Sequence, residues 1–271
     1  MKVFRTVADL RGHLERVRKR QQIGLAPTMG GLHDGHVALF RAARRACDHV
    51  VATIFVNPGQ FNDPADLAAY PRDETRDAEI ARAAGVDALF VPSVEEMYPD
   101  GDATTLSVQG AAIGFEGAFR PGHFNSVATV CVKLFNITQP HVAFFGQKDA
   151  QQVAVIRQTV HDLRLPLEIR VVPTVREPDG LAMSSRNVRL GAADRLRALA
   201  IPRALAAGLT AHIAGTDAAA AARAALDELQ VDYADVVVFD GQPTLIIAAR
   251  AGSTRLIDNV PLAHPDLAGL P

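Results

Sequence analysis

Apolar residues recur at helical spacing through Val7, Leu10, Leu14 and Val17, behind a Thr6 and Asp9 pair suited to an N-cap. An unbroken apolar run follows at Ile23 to Ala26, so the pattern predicts a helix and then a strand. Val37, Phe40 and Cys47 repeat at helical spacing after Gly35, and the continuous run from Val50 to Val56 has the character of a strand buried on both faces. Beyond it the chain predicts a helix over 74–84 stopped at Gly85, a strand over 88–91, a helix over 126–137, a strand over 142–145, a helix over 149–163 and a strand over 167–172. Strands alternating with helices build a parallel sheet covered on both faces. The expected fold is therefore α/β, a doubly wound, Rossmann-like parallel sheet.

After about residue 175 the pattern changes to alanine-rich helices over 192–213 and 217–229 and three short strands near 234–239, 245–249 and 254–258. A smaller C-terminal α+β domain is expected, which divides the chain into 1–174 and 175–271. The near-uniform alanine of Ala218 to Ala225 reads as a good helix former packing closely on a neighbour.

Composition narrows the function. Of 271 residues, 28 are basic and 30 acidic, a net charge of -2 that argues against a surface built for long nucleic acid or an anionic membrane and favours a small ligand. Cys47 and Cys131 are the only cysteines and stand in no motif spacing, which excludes a disulfide framework or a structural zinc site and fits a reducing compartment. The N-terminal stretch is interrupted by charges throughout, unlike a signal peptide or a membrane span, so a cytoplasmic setting is expected. Lys2, Lys19, Lys133 and Lys148 are the only lysines among the 28 basic residues, so a lysine inside a motif carries information.

Four strings carry candidate chemistry. PTMGGLHDGH, residues 27 to 36, lies between a predicted strand and a predicted helix, the place where doubly wound sheets bind ligands. Gly30 and Gly31 let the backbone approach a ligand closely. His33 and His36, three apart, face one way if the turn runs into the helix, and a helix N-terminus with two imidazoles suits a polyphosphate whose charge shifts during reaction. The same pair is compatible with capping, or with a metal site for which no third ligand stands at a recognisable spacing. FVNPGQF, residues 55 to 61, puts the two-way hydrogen bonders Asn57 and Gln60 on a Pro-Gly turn; it is a good turn on its own account and also suits a small polar substrate. FGQKDAQQ, residues 145 to 152, offers Lys148 as a point charge for phosphate, Asp149 as a ribose acceptor or a helix cap, and Gln152 one helical turn on. MSSRN, residues 183 to 187, sets two hydroxyls beside a guanidinium, as a phosphate clamp or a plain solvated loop does. Neither a P-loop nor a Gly-x-Gly-x-x-Gly fingerprint is present.

These strings, with EGAFRPGHF (116 to 124), KLFN (133 to 136), TVREPDG (174 to 180) and RLIDN (255 to 259), resemble in order the pantothenate synthetases, or pantoate:β-alanine ligases. That family resembles in turn the paired-histidine nucleotidyl-transferring proteins and the catalytic domain of class I aminoacyl-tRNA synthetases. The resemblance implies an AMP-forming ligation: pantoate attacks the α-phosphorus of ATP to give pantoyl adenylate and pyrophosphate, and β-alanine then displaces AMP. It also implies ATP contacts from Met29, Gly30, Gly31, Leu32, His33, Asp34, Gly35 and His36, from Gly146, Gln147, Lys148 and Asp149, and from Val175, Met183, Ser184, Ser185 and Arg186. Within that set His36 stands at the family's proton-donor position, and His33, Lys148 and Arg186 would stabilise the departing pyrophosphate together with Mg²⁺. Gln60 and Gln152 would hold pantoate with Met29 and Asn57 beside them, and Asp77 matches an acidic position near the magnesium. A homodimer formed through the N-terminal domain and a C-terminal lid domain are further implications. Two residues depart from the family's pattern: Ser126 replaces a usual glycine and Ala150 a usual aromatic residue. The competing functions are a nucleotidyltransferase that leaves AMP on its product and a nonenzymatic nucleotide-binding module.

Overall fold

The computed structural model describes residues 1–226, 228–263 and 270. Its contacts divide the chain into two compact units, Met1–Phe145 with Gln151–Val172, and Gly146–Ala150 with Pro173–Pro271. The division after Val172 lies two residues before the one drawn from composition, and the short segment 146–150 groups with the later part of the chain.

The first unit holds strands β1 (Lys2–Phe4), β2 (Ile23–Ala26), β3 (His49–Thr53), β4 (Ala88–Phe90), β5 (Val142–Gly146) and β6 (Glu168–Val172) in one sheet of order β1-β4-β3-β2-β5-β6. The pairs β1–β4, β4–β3, β3–β2 and β2–β5 are parallel. Helices α1 (Val7–Arg18), α2 (Asp34–Ala46), α3 (Pro64–Ala68), α4 (Glu74–Ala83), α5 (Val94–Met97), α6 (Phe115–Phe119), α7 (His123–Thr138) and α8 (Ala150–Asp162) connect them. Alternation along the strands explains the unbroken apolar runs. Ile23, Leu25, Val51, Phe90, Ala143 and Phe145 pack with Leu10 and Leu14 of α1, with α7 and with α8. Their neighbours Ala26, Val50, Ala52, Leu89, Val142 and Phe144 pack with Leu39, Phe40 and Ala43 of α2 and Ala81 of α4. Both faces are buried, so no polar position interrupts the run. The chain moves outward through β2, β3 and β4 and then returns to place β5 on the other side of β2. The sheet reverses direction between β2 and β5, the switch point at which such sheets bind ligands outside the strands' carboxyl ends.

The second unit holds α9 (Ala192–Ala198), α10 (Ala200–Ile213), α11 (Ala218–Ala224) and the antiparallel meander β7 (Gln230–Phe239), β8 (Gln242–Ala251) and β9 (Thr254–Pro261). Its core joins Ile201, Leu205 and Leu209 of α10 to Leu245 and Ile247 of β8 and Leu256 and Val260 of β9. The single helix expected over 192–213 is two, broken at Leu199. Pro202 has no N–H for the carbonyl of residue 198, so it is accommodated in the first turn of a new helix. The helix expected over 217–229 closes at Ala224, and Asp227 lies outside the described residues. The strand at Lys2–Phe4 had no counterpart in the apolar pattern; three residues are too few to show alternation.

His13 of α1 stacks on Phe4, which closes β1, at 5.0 Å between ring centroids and lies 5.3 Å from the ring of His49, which opens β3. The Nε2 atoms of both histidines are buried without a hydrogen bond. Burial is the main cause that lowers the pKa of each; Lys2 and Arg16 add to it at His13, and His13 and Arg44 add to it at His49, while Asp87 opposes it at both. The unfolded chain takes up these protons near pH 6.5 and the folded chain only at lower pH, so acid favours unfolding across that interval. Urea unfolding at pH 7.5 and pH 5.5 is expected to show lower stability at 5.5, with the difference reduced in a His13→Gln, His49→Gln double variant. An unchanged pH difference in that variant would assign the acid sensitivity to other groups.

Candidate active site

In the first unit the chain leaves β2 into the loop Pro27–His33. Thr28 is tied to the end of β3: its N–H donates to Thr53 Oγ1 at 3.2 Å and its hydroxyl to the Thr53 carbonyl at 2.5 Å. Gly30 and Gly31 then take φ of +84° and +63°, a region closed to most side chains, and a Cβ at Gly30 would lie 2.9 Å from Asp77 Oδ2. Asp77 itself is 1% exposed and uses both carboxylate oxygens on this loop, Oδ2 accepting the Gly31 N–H and Oδ1 the Leu32 N–H, each at 2.8 Å. The Tyr70 hydroxyl donates to the Gly30 carbonyl at 3.2 Å.

The loop ends in the histidine pair. His33 is the N-cap of α2, and its Nδ1 accepts the Gly35 N–H at 3.1 Å. His36 reaches back so that its Nδ1 accepts the His33 N–H at 3.2 Å, closing a reciprocal capping box with the ring centroids 4.2 Å apart. Both readings of the pair are therefore compatible in one geometry, because capping uses only Nδ1. A ring that keeps this bond carries its proton on Nε2, which makes Nε2 a hydrogen-bond donor. Two such donors at the N-terminus of a 13-residue helix suit negative charge on phosphate oxygens. Met29 is half-buried and Asp34 is exposed at the first helical position.

Asn57 and Gln60 also belong to the first unit. The 3-10 turn Pro58–Gln60 has no side-chain cap; instead Asn57, 1% exposed, donates from Nδ2 to Gln60 Oε1 at 3.0 Å and accepts the Tyr98 hydroxyl at 3.0 Å. The Gln60 carbonyl accepts from Arg120 Nη2 at 3.0 Å and lies 3.1 Å from His123 Nδ1. Gln60 is thus held by its backbone and by its own amide oxygen. Gln152 stands half-buried in the first turn of α8.

In the second unit the 3-10 turn Gln147–Asp149 follows β5, with the Lys148 ammonium 3.8 Å from Asp149 Oδ1. The expected helix from Asp149 begins at Ala150, after this turn. Val175 accepts the Met183 N–H at 2.9 Å, and Ser184 Oγ accepts the Arg186 N–H at 3.2 Å. Beside them Arg195 bridges Glu177 and Asp179 at 2.6 Å each, and Asn187 donates to Glu177 at 2.5 Å and to the Ala182 carbonyl at 3.0 Å. Arg195 holds both carboxyl groups below their ordinary pKa against the opposing effect of burial, so they remain ionised partners of the loop that carries Ser184, Ser185 and Arg186.

The sequence model of the pantoate-beta-alanine ligase family matches residues 2–261. The chain belongs to the pantoate–β-alanine ligase family. Among relatives, a pantothenate synthetase of Cereibacter sphaeroides is 49% identical over 96% of this chain and 99% of its own length. Pantothenate synthetase 1 of Bradyrhizobium diazoefficiens is 51% identical over 97% and 99%. The crystal structure of a Thermus thermophilus pantothenate synthetase superposes with a TM-score of 0.91 at 45% identity, covering 97% of this chain and 99% of that one. A Francisella tularensis pantoate-beta-alanine ligase, solved in complex with beta-gamma ATP and beta-alanine, gives a TM-score of 0.82 at 34% identity over 97% and 98%.

For a pantoate–β-alanine ligase, the departures at Ser126 and Ala150 have a local reading here. A Cβ at Gly59 would lie 3.0 Å from Ser126 Oγ, and the Ser126 carbonyl accepts from Asn57 Nδ2 at 3.4 Å, so the extra hydroxymethyl group packs against the Asn57–Gln60 turn. Ala150 is 7% exposed at the start of α8 and contributes no polar group. Each Asp77 carboxylate oxygen accepts one backbone N–H, which makes the side chain a brace of this loop and uses one of the two lone-pair positions on each oxygen. Among the described residues no group of three or more His, Cys, Asp or Glu side chains could hold a metal ion. Sequence reasoning passed over Tyr98, Arg120 and His123 around Gln60, and Glu177 and Arg195 around Asn187. The strings EGAFRPGHF and TVREPDG marked three of them without showing what they touch.

Proposed function

We propose that this chain condenses pantoate with β-alanine to form pantothenate at the expense of ATP. A pantoate carboxylate oxygen bonds to the α-phosphorus as the bond to pyrophosphate breaks. The β-alanine nitrogen then bonds to the acyl carbon, sheds a proton, and displaces AMP. AMP leaves far more readily than hydroxide, which is why the carboxylate is adenylated first. The observation that carries this reading is the histidine pair, whose Nδ1 atoms are fixed by backbone N–H groups and whose Nε2 atoms are thereby donors at the start of α2. Donors fixed before the reaction stabilise charge developing on pyrophosphate without reorganising. The Francisella complex with beta-gamma ATP and beta-alanine supports the choice of substrates.

In this reading Met29 to His36, Gly146 to Asp149, Val175 and Met183 to Arg186 bind ATP, with His33, His36, Lys148 and Arg186 acting on the phosphates. Gln60 and Gln152 hold pantoate beside Asn57. Magnesium, carried in with the ATP phosphates, would neutralise their charge, and Asp77, which braces the histidine loop and keeps a second lone-pair position on each carboxylate oxygen, would stand near it. A homodimer and a cytoplasmic setting complete the proposal, and no helix among the described residues is long and apolar enough to cross a membrane.

The test is pantoate-dependent exchange of labelled pyrophosphate into ATP with β-alanine absent, since adenylation is reversible and needs no amine. Addition of β-alanine is then expected to give pantothenate and AMP in equal amounts. Exchange that requires β-alanine would point to a concerted route, and a product that retains AMP would make the chain a nucleotidyltransferase.

A further inference from the structure

The turn that carries Lys148 has little to hold it locally. Gln147–Asp149 is a single 3-10 turn with no side-chain cap, and one such turn does not stabilise itself. Its rigidity comes from β9. Asn259, 4% exposed, donates from Nδ2 to the Gln147 carbonyl at 2.9 Å and to the Lys148 carbonyl at 2.8 Å, while its Oδ1 accepts from Gln147 Nε2 at 2.9 Å. Both amide hydrogens and one lone pair are therefore committed to two consecutive residues of the turn. Asn259 is itself anchored, because its N–H donates to Asp258 Oδ1 at 2.8 Å, and the Asp258 carboxylate is paired with Arg176 at 2.6 Å. Arg176 and Asp258 are 6% and 2% exposed, so the anchor is shielded from water and salt.

We propose that Asn259 is a positioning residue for Lys148: its carboxamide fixes the Gln147–Lys148 backbone and thereby the point from which the lysine ammonium reaches the nucleotide phosphates. The inference rests on the reading of residues 146–149 as ATP-binding. A lysine side chain is a compact charge on a flexible four-carbon stem, so its precision depends on where its backbone is held. Aspartate at 259 would keep the shape and lose both donors, turning a carboxylate oxygen toward two carbonyl oxygens.

Pyrophosphate exchange is measured for the wild type, Asn259→Ala, Asn259→Asp, Lys148→Ala and the two double variants, with Leu256→Ala as a core truncation on the same strand. Misplacement of a phosphate-binding group by about 1 Å costs up to roughly 100-fold, so kcat/KM for ATP is expected to fall about 10- to 100-fold in each Asn259 variant while KM for pantoate changes less than about twofold. In the Lys148→Ala background the same substitutions are expected to cost less than about twofold more, because a residue acting through Lys148 has nothing left to position. Leu256→Ala is expected to lower the unfolding temperature without changing kcat/KM for ATP. Should Asn259→Ala fail to fold, the near-isosteric Asn259→Asp carries the comparison. Asn259 variants within about twofold of an active wild type would overturn the positioning role alone, and so would losses that multiply with that of Lys148→Ala. A wild type without exchange would overturn the ligase reading and the inference resting on it.

Discussion

If His36 acts on the phosphates as proposed, His36→Ala is expected to lower turnover by about two to three orders of magnitude, the usual effect of removing one preorganised donor from a site of developing charge. The substitution also removes the acceptor of the His33 N–H, one half of the capping box that opens α2, a feature worth about 0.3–1.5 kcal/mol of stability. The two effects separate in His36→Gln. Glutamine at the third helical position can complete a capping box but has no imidazole, so it is expected to restore the urea midpoint and leave turnover low. Single-turnover pantothenate formation and equilibrium unfolding, measured on both variants, check this. Near wild-type turnover in a folded His36→Gln variant would remove the imidazole from the chemistry and leave His36 a cap.

Asp258→Ala is expected to destabilise the second unit by about 3–5 kcal/mol, because it leaves the Arg176 charge buried without its partner. That is about a fifth or more of the about 5–15 kcal/mol by which a typical domain is stable. The remaining contact of Arg176 Nη1, a 3.1 Å bond to the Gly180 carbonyl, replaces a charge with a dipole and does not compensate. Urea unfolding measures the loss. A change below about 1 kcal/mol would mean that the pair behaves as an exposed one.

What the sequence makes legible here follows distance along the chain. The alternation from Ile23 to Ala26 and from Val142 to Phe145 shows as continuous apolar runs because both faces are covered, and Thr6 and Asp9 announce the start of α1 within one helical turn. The histidine pair is local as well, three residues apart on a strand-to-helix turn, so its placement at the start of α2 follows from spacing. Asp77 is different. Its acidic character is visible, but its use as an acceptor for Gly31 and Leu32 depends on a contact across 45 and 46 residues, and no periodicity encodes that. Gln60 gives the same lesson, since the arginine that grips its carbonyl stands 60 residues on. The break at Leu199 was readable from Pro202, yet the alanine-rich texture on either side hides it, because alanine favours helix strongly enough to suggest one continuous segment.

The dependence of the Lys148 turn on Asn259 also sets an order in time. Asn259 lies 111 residues after Lys148, and at a synthesis rate of roughly 5–20 residues per second that interval lasts on the order of ten seconds. Throughout it the histidine loop and α2 already have every partner named for them above, Asp77 included, whereas the lysine turn has none of its three side-chain bonds from β9. The emerging chain has the contacts of its histidine loop early and those of its lysine turn only once β9 has been made, so a message truncated before codon 259 yields a protein whose histidine loop is braced and whose lysine turn is not.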